Sequence, residues 1–228
     1  MKNHIAILIG ALALCSCEDY LTQENPNKIE SEYYFTDESS LEIYTNGFIR
    51  SFATAIKSFV DGDKNADTHS WDGQAAYFMD NYSADDATNW TTSNWSQLRS
   101  INYYLDNMRK ADAPEAVLNH YEGVGRFFRA LFYFEKVRKY GDIPYYDFVI
   151  PSNDWASLKR PRDSRGFVMK KVMEDLDRAI TDLPDNWPSD ALYRLSKNAA
   201  RAMKARAALY EGTFRKYHGI ADETIDGV

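Results

Sequence analysis

The chain has 228 residues, a formal net charge of −7 and 44% hydrophobic content. That is enough apolar material for one compact domain or two small ones, and the acidic balance disfavours nucleic-acid binding, which needs a basic face. Aromatics make up 14% of the chain, and the only two Cys, Cys15 and Cys17, sit near the N-terminus, so the remainder has neither a disulfide framework nor a CxxC metal knuckle.

Residues 1–16 read as a signal peptide: Lys2 gives a positive start, and Ile5–Leu14 is an apolar run too short to span a bilayer as a helix. Leu14-Cys15-Ser16-Cys17 looks like a bacterial lipobox, with small Ser16 before the cut and Cys17 as the acylated residue. The alternative is an ordinary secretory signal with an incidental Cys. Residues 17–35 have no period and carry Asn25-Pro26-Asn27, which suggests an extended tether. Thr36 can cap the next helix, whose Leu41, Tyr44, Phe48, Phe52, Ile56 and Phe59 share one face.

Asp61, Asp63, Asn65 and Asp67 match the first half of an EF-hand loop, with Asp72 in place of the bidentate Glu. Ala66 replaces the Gly that the sharp turn requires, so a solvated acidic loop is the simpler reading and no metal site is assigned. Residues 68–95 are the least regular stretch and the richest in Trp. Trp71, Tyr77, Tyr82 and Trp90 alternate there with Asn81, Asp86 and Asn89. Aromatic faces beside amides and carboxylates suit sugars, whose CH faces stack on rings and whose hydroxyls need paired donors and acceptors. The alternative is a loop folded over its own rings.

Trp95, Leu98, Ile101, Leu105 and Met108 keep helical spacing, so Trp95 is assigned to the core rather than to a ligand. Asn102 lies near that face, and a buried amide needs partners, which predicts a structural bond to a neighbouring loop. The next helix organises the chain. Asp112 and Glu115 read as a capping box, and Pro114 suits the first turn. Two apolar lines follow, Val117–Tyr121–Val124–Phe128–Leu131 and Phe127–Leu131–Phe134–Val137, so this helix is expected to be covered on more than one side. Gly141 and Pro144 end it, and Arg138 and Lys139 occupy its last turn, where the dipole favours them.

Residues 145–162 read as a polar connection broken by Pro151 and Pro161. Within it, the basic run Lys159–Arg165 is most simply a solvated loop, or else a partner-docking patch. Asp163 or Ser164 then caps a helix carrying Val168, Val172, Leu176, Ile180 and Leu183, stopped by Pro184 and Pro188. Ser196 caps a last helix rich in Ala, whose small side chains let helices approach closely. The four His residues lack metal-site spacing, no nucleophile elbow or P-loop occurs, and Gly123-Val124-Gly125 lacks the third Gly of a dinucleotide loop.

Three stretches carry a family resemblance. Glu122–Pro144, EGVGRFFRALFYFEKVRKYGDIP, resembles the signature helix of the SusD/RagB-like proteins. The Cys17-x-x-Tyr20-Leu21 start with Phe35-Thr36, Leu41 and Asn46-Gly47, and the Leu195–Glu211 run, resemble the same family's opening and its tetratricopeptide-like unit. The resemblance implies an all-α fold of tetratricopeptide-like helical hairpins with long irregular loops. It also implies a lipoprotein anchored in the outer membrane and facing the exterior, with Glu18-Asp19 as an acidic export tag. Such proteins bind glycans beside a TonB-dependent, SusC-like transporter; they are not enzymes and carry no cofactor. Alternatives are a scaffold that only supports the transporter, a peptide-capturing relative and, last, a glycoside hydrolase. Family members run to about twice this length, so residues 36–228 are expected to correspond to an incomplete N-terminal helical domain. On this reading the glycan-binding candidates are Trp71, Tyr77, Asn81, Tyr82, Asp86 and Trp90.

Overall fold

Glu115–Tyr140 is one continuous helix, and the other helices gather round it. The computed structural model describes residues 34–52, 90–186 and 194–220. Among these, six α-helices occur: α1 (Glu38–Phe52), α2 (Thr92–Asn107), α3 (Glu115–Tyr140), α4 (Trp155–Leu158), α5 (Arg165–Asp182) and α6 (Lys197–His218). The chain divides into two units, Met1–Tyr34 and Phe35–Val228, and all six helices belong to the second. Extended pairing among the described residues is limited to one antiparallel bridge, Ile143 with Asp163, so the fold is all-α as expected.

Contacts fix the direction of each neighbour. Along α3 and α5, Gly123 lies against Asp182, Arg129 against Asp175, and Ile143 beyond α3 pairs with Asp163 before α5. The two helices are therefore antiparallel. Arg165 reaches Glu211 and Lys204 reaches Asp177, so α5 and α6 form a second antiparallel pair. On the other side of α3, Arg109 pairs with Glu122, and the Trp95 and Phe132 rings meet at 5.6 Å, which makes α2 and α3 antiparallel too. These successive hairpins are the tetratricopeptide-like arrangement.

Two glycines let α3 sit this close to both neighbours. A Cβ at Gly125 would lie 2.7 Å from Leu105 Cδ2 and 3.1 Å from the Tyr104 ring; one at Gly123 would lie 3.0 Å from Asp182 Cβ. The helix-propensity cost of each Gly, about 1 kcal/mol, is offset by close packing on α2 and α5. Phe128, Ala130, Phe132, Tyr133, Phe134 and Val137 are all buried, on more faces than the two apolar lines alone would cover.

Helix ends follow the sequence in part. Ser164 and Ser196 accept from the backbone N–H of Phe167 and Ala199, as expected. Gly141, at φ 69°, ends α3 with its N–H donated to Val137 O. Two expected caps are displaced by one or more residues. Asp37, not Thr36, caps α1, accepting from Ser40 N at 2.9 Å, while Thr36 O accepts from Asp112 N. Asp112 does not cap α3. Proline bars the residue before it from helical geometry, so α3 starts after Pro114 and Glu115 is its first residue, where it pairs with Arg109 at 3.0 Å instead of reaching back to a cap.

A buried ionic seam joins α3 to α5. Asp175, 2% exposed, accepts from Arg129 Nε and Nη2 at 2.7 Å each and from Arg126 Nη1 at 3.1 Å. Glu122 accepts from Arg126 and Arg109. Fork-to-carboxylate bonds of this kind satisfy both buried charges.

Candidate functional site

The segment after α3 has irregular backbone, and irregular backbone inside a domain needs side-chain partners. It finds them on α2, on α3 and just before α5. The Tyr133 hydroxyl accepts from Tyr146 N at 2.6 Å and donates to Tyr146 O at 2.9 Å. Asn102 Nδ2 donates to Tyr146 O and Phe148 O at 2.9 and 3.0 Å. Asp163 accepts from Tyr145 N, Asp106 from Val149 N, and Arg99 donates to Ile150 O at 2.8 Å. The Tyr146 hydroxyl donates to Ser157 O, which ties α4 to the same wall. Burial pushes the Tyr133 and Tyr146 phenols up, so both stay neutral donors at ordinary pH.

This pinned segment forms one wall of a cavity of about 580 Å³. The N-terminal end of α2 forms the other, with Trp90, Trp95, Leu98 and Arg99. Apolar surface comes from Trp90, Tyr146, Phe148, Ile150 and Leu158, and polar groups from Arg99, Asn102, Ser152, Arg160 and Arg162. Phe148 and Trp155, on the same segment, are exposed rings, Trp155 at 65%. A preformed recess with apolar walls and a few placed donors is the usual form of a small-ligand site. Its described lining holds no Asp or Glu and offers apolar surfaces and hydrogen-bond donors.

Of the sequence-derived candidates, Trp90 lies in this cavity. Its ring also packs edge-on against Trp95 at 5.1 Å and Tyr140 at 4.9 Å, with the Arg162 guanidinium over it at 5.2 Å. It therefore joins the core and the cavity wall at once. Trp71, Tyr77, Asn81, Tyr82 and Asp86 lie outside the described residues, as do Cys17 and the Asp61–Asp72 loop. Trp95 belongs to the core edge, as assigned, and also borders the cavity. Asn102 has the structural role expected of it.

Sequence reading missed Arg99, Tyr146, Phe148 and Arg162. Residues 145–162 are not merely a polar connection: Tyr145 and Tyr146 are buried, and the Tyr145-Tyr146 pair beside Pro144 was the available signal. The Lys159–Arg165 run is exposed from Lys159 to Arg162, as a solvated loop is, yet its guanidiniums are engaged. Arg160 bonds Asp163 at 2.7 Å and Tyr145 O at 3.1 Å, Arg162 covers Trp90, and Arg165 is held by Glu211 and the Phe214 ring. Each guanidinium has a partner distant in sequence, which charge counting along the chain does not reveal.

Comparison with known proteins agrees with this architecture. A solved SusD-like protein of Bacteroides fragilis superposes with a TM-score of 0.67 at 25% identity, covering 84% of this chain and 39% of its own. A laminarin-binding SusD-like protein superposes with a TM-score of 0.65 at 18% identity, over 78% of this chain and 41% of its own. SusD-like protein P2 of Formosa agariphila is 28% identical over 230 aligned positions, 94% of this chain and 44% of that relative. The chain thus spans less than half the length of the relatives it matches. Residues 19–209 match the model of a SusD-like family described as starch-binding and associating with the outer membrane, and the chain belongs to that SusD-like family.

Proposed function

We propose that the protein captures oligosaccharide or polysaccharide at the outer membrane and presents it to a TonB-dependent, SusC-like transporter, without cutting it. A lipid on Cys17 holds it there, facing the exterior. The observation that carries the reading is the Trp90–Tyr146–Phe148 cavity, whose wall is fixed by Tyr133, Asn102 and Arg99 before any ligand arrives. Preorganisation of this sort lowers the ordering cost of binding. The family's description as starch-binding and associated with the outer membrane supports it, as does the shared fold of a laminarin-binding relative. Among the described residues no helix is long and apolar enough to cross a membrane, and the Leu14-Cys15-Ser16-Cys17 lipobox supports anchoring through a lipid. Trp90 is the sugar platform within the cavity, and we assign Trp71, Tyr77 and Tyr82 as further platforms, with Asn81 and Asp86 as hydroxyl partners.

Two measurements test this. Affinity electrophoresis against a glycan panel should retard the protein without release of reducing ends. Cys17→Ala should move it from the membrane fraction to the soluble fraction. Retention of the variant on membranes after a salt wash would show that the lipid is not the anchor, and co-purification of the transporter without any glycan retardation would point to a scaffold.

A further inference from the structure

The cavity's charge runs against that of the chain. Overall there are 34 Asp and Glu against 27 Lys and Arg, yet the described cavity lining holds Arg99, Arg160 and Arg162 and no acid. Arg160 is already neutralised: its Nη2 bonds both Asp163 oxygens at 2.7 and 2.8 Å, and its Nη1 donates to Tyr145 O. The other two are not. Arg99 spends one N–H on Ile150 O, and Arg162 stacks over Trp90; among the described residues neither has a carboxylate within ion-pair distance. A guanidinium stacked on a ring keeps its in-plane N–H edges open, and those edges match a planar or tetrahedral oxyanion.

We propose that this cavity takes a glycan bearing an oxyanion, with Trp90, Tyr146 and Phe148 facing the sugar ring and Arg99 and Arg162 holding the charged substituent. The proposal rests on the glycan-capture reading and adds the chemical class of the ligand. A uronate carboxylate and a sulfate ester both satisfy the two guanidiniums. A neutral glucan satisfies neither and leaves them to water. The acidic surface elsewhere makes weak non-specific capture of polyanions unfavourable, so binding of such a ligand must come from this local pair.

The test is calorimetric titration of the full chain with three oligosaccharides of equal length: a neutral β-glucan, an oligouronate and a sulfated galactan. Each is titrated at low and at high salt. The acidic ligands are expected to bind about tenfold or more tightly than the neutral one, which is what a charge-assisted hydrogen bond supplies. That advantage should shrink with salt. Which acidic ligand binds identifies carboxylate or sulfate as the source. Arg162→Gln and Arg99→Gln should each remove most of the advantage; the readout is the ratio of acidic to neutral affinity within each variant, because Arg99 also holds Ile150 O and Arg162 lies over Trp90. Lys159→Gln, a cation over Trp155 and outside the cavity lining, should have no effect. Equal affinity for all three ligands, or acidic binding indifferent to both Arg variants, overturns the charge assignment and leaves glycan capture standing. Binding of none of the three overturns both.

Discussion

Replacing Asn102 by Asp changes one atom in the support of the cavity wall and should be read out in stability and in pH. Asn102 is 1% exposed and its Nδ2 donates to two carbonyls, Tyr146 O and Phe148 O. Its Oδ1 has no partner among the described residues. An ionised Asp places an acceptor against two acceptors about 3 Å away, at a side chain that is almost wholly buried. Tyr146 O retains the Tyr133 hydroxyl, so the principal orphan is Phe148 O. An orphaned buried carbonyl costs about 1–3 kcal/mol, which is also the expected loss for the uncharged Asn102→Leu. Asn102→Asp should lose more than Leu at pH 7. Its carboxyl, facing carbonyls, must have a folded-state pKa above the unfolded value. The folded state then binds more protons than the unfolded state, so the deficit is smallest below the unfolded pKa, near about 4, and grows as pH rises to the folded pKa. Protonation restores one donor, to Phe148 O or Tyr146 O. Thermal melts by circular dichroism at intervals from pH 4 to 8 resolve this, since a domain of this size shifts by about 2–4 °C per kcal/mol. An Asp variant whose deficit from the parent is flat across that range, or smaller than that of Leu at pH 7, would refute the assignment of Nδ2 as the donor to both carbonyls.

Asp175→Asn should cost about 3–5 kcal/mol in urea unfolding, because it leaves the buried Arg129 guanidinium uncompensated. The paired variant Arg129→Met with Asp175→Leu should recover most of that, and a single variant within 1 kcal/mol of the parent would mean that Arg129 reaches water. Glu122 supplies a second pH dependence. Burial alone would push its carboxyl up, but Arg109 and Arg126 hold it below the ordinary carboxylate value. A depressed folded pKa stabilises the fold above the unfolded pKa, and that contribution is lost as pH falls through the folded value. Glu122→Gln should therefore be less stable than the parent at pH 7, and the two melting curves should converge on acidification from about pH 5 to 3.

The helices were legible because their signals are local. Ser164 and Ser196 sit where their helices begin, the period from Val168 to Leu183 marks one buried face, and Gly141 with Pro144 ends α3. The family resemblance in Glu122–Pro144 then supplied the hairpin arrangement that periodicity alone does not reach. What was not legible depends on distant partners. A dinucleotide loop at Gly123 and Gly125 is excluded by the sequence itself, but why a helix carries two glycines shows only when α2 and α5 are seen pressed against them. Asp112 and Glu115 satisfy the spacing of a capping box, yet the proline between them moves the helix start past it. The cavity residues Arg99 and Arg162 are far apart in sequence and carry no shared motif; only the return of the chain past α4 brings them to one recess.

The cavity and the core are held by the same helix, and this shapes what the cavity can do. Within four residues of α3, Arg129 closes the ionic seam with α5 and reaches Asp147 O at 3.4 Å, while the Tyr133 hydroxyl bonds both the N–H and the C=O of Tyr146. One turn separates them, so both point from one face of α3 toward the segment that becomes the wall. The wall cannot move outward without breaking bonds to α3, and α3 cannot rotate without breaking its seam with α5. The recess is bounded by Trp90 on one side and by Tyr146 and Phe148 on the other. On the proposed reading, a ligand is selected by the groups at the edge of the recess, Arg99 and Arg162, rather than by closure around it.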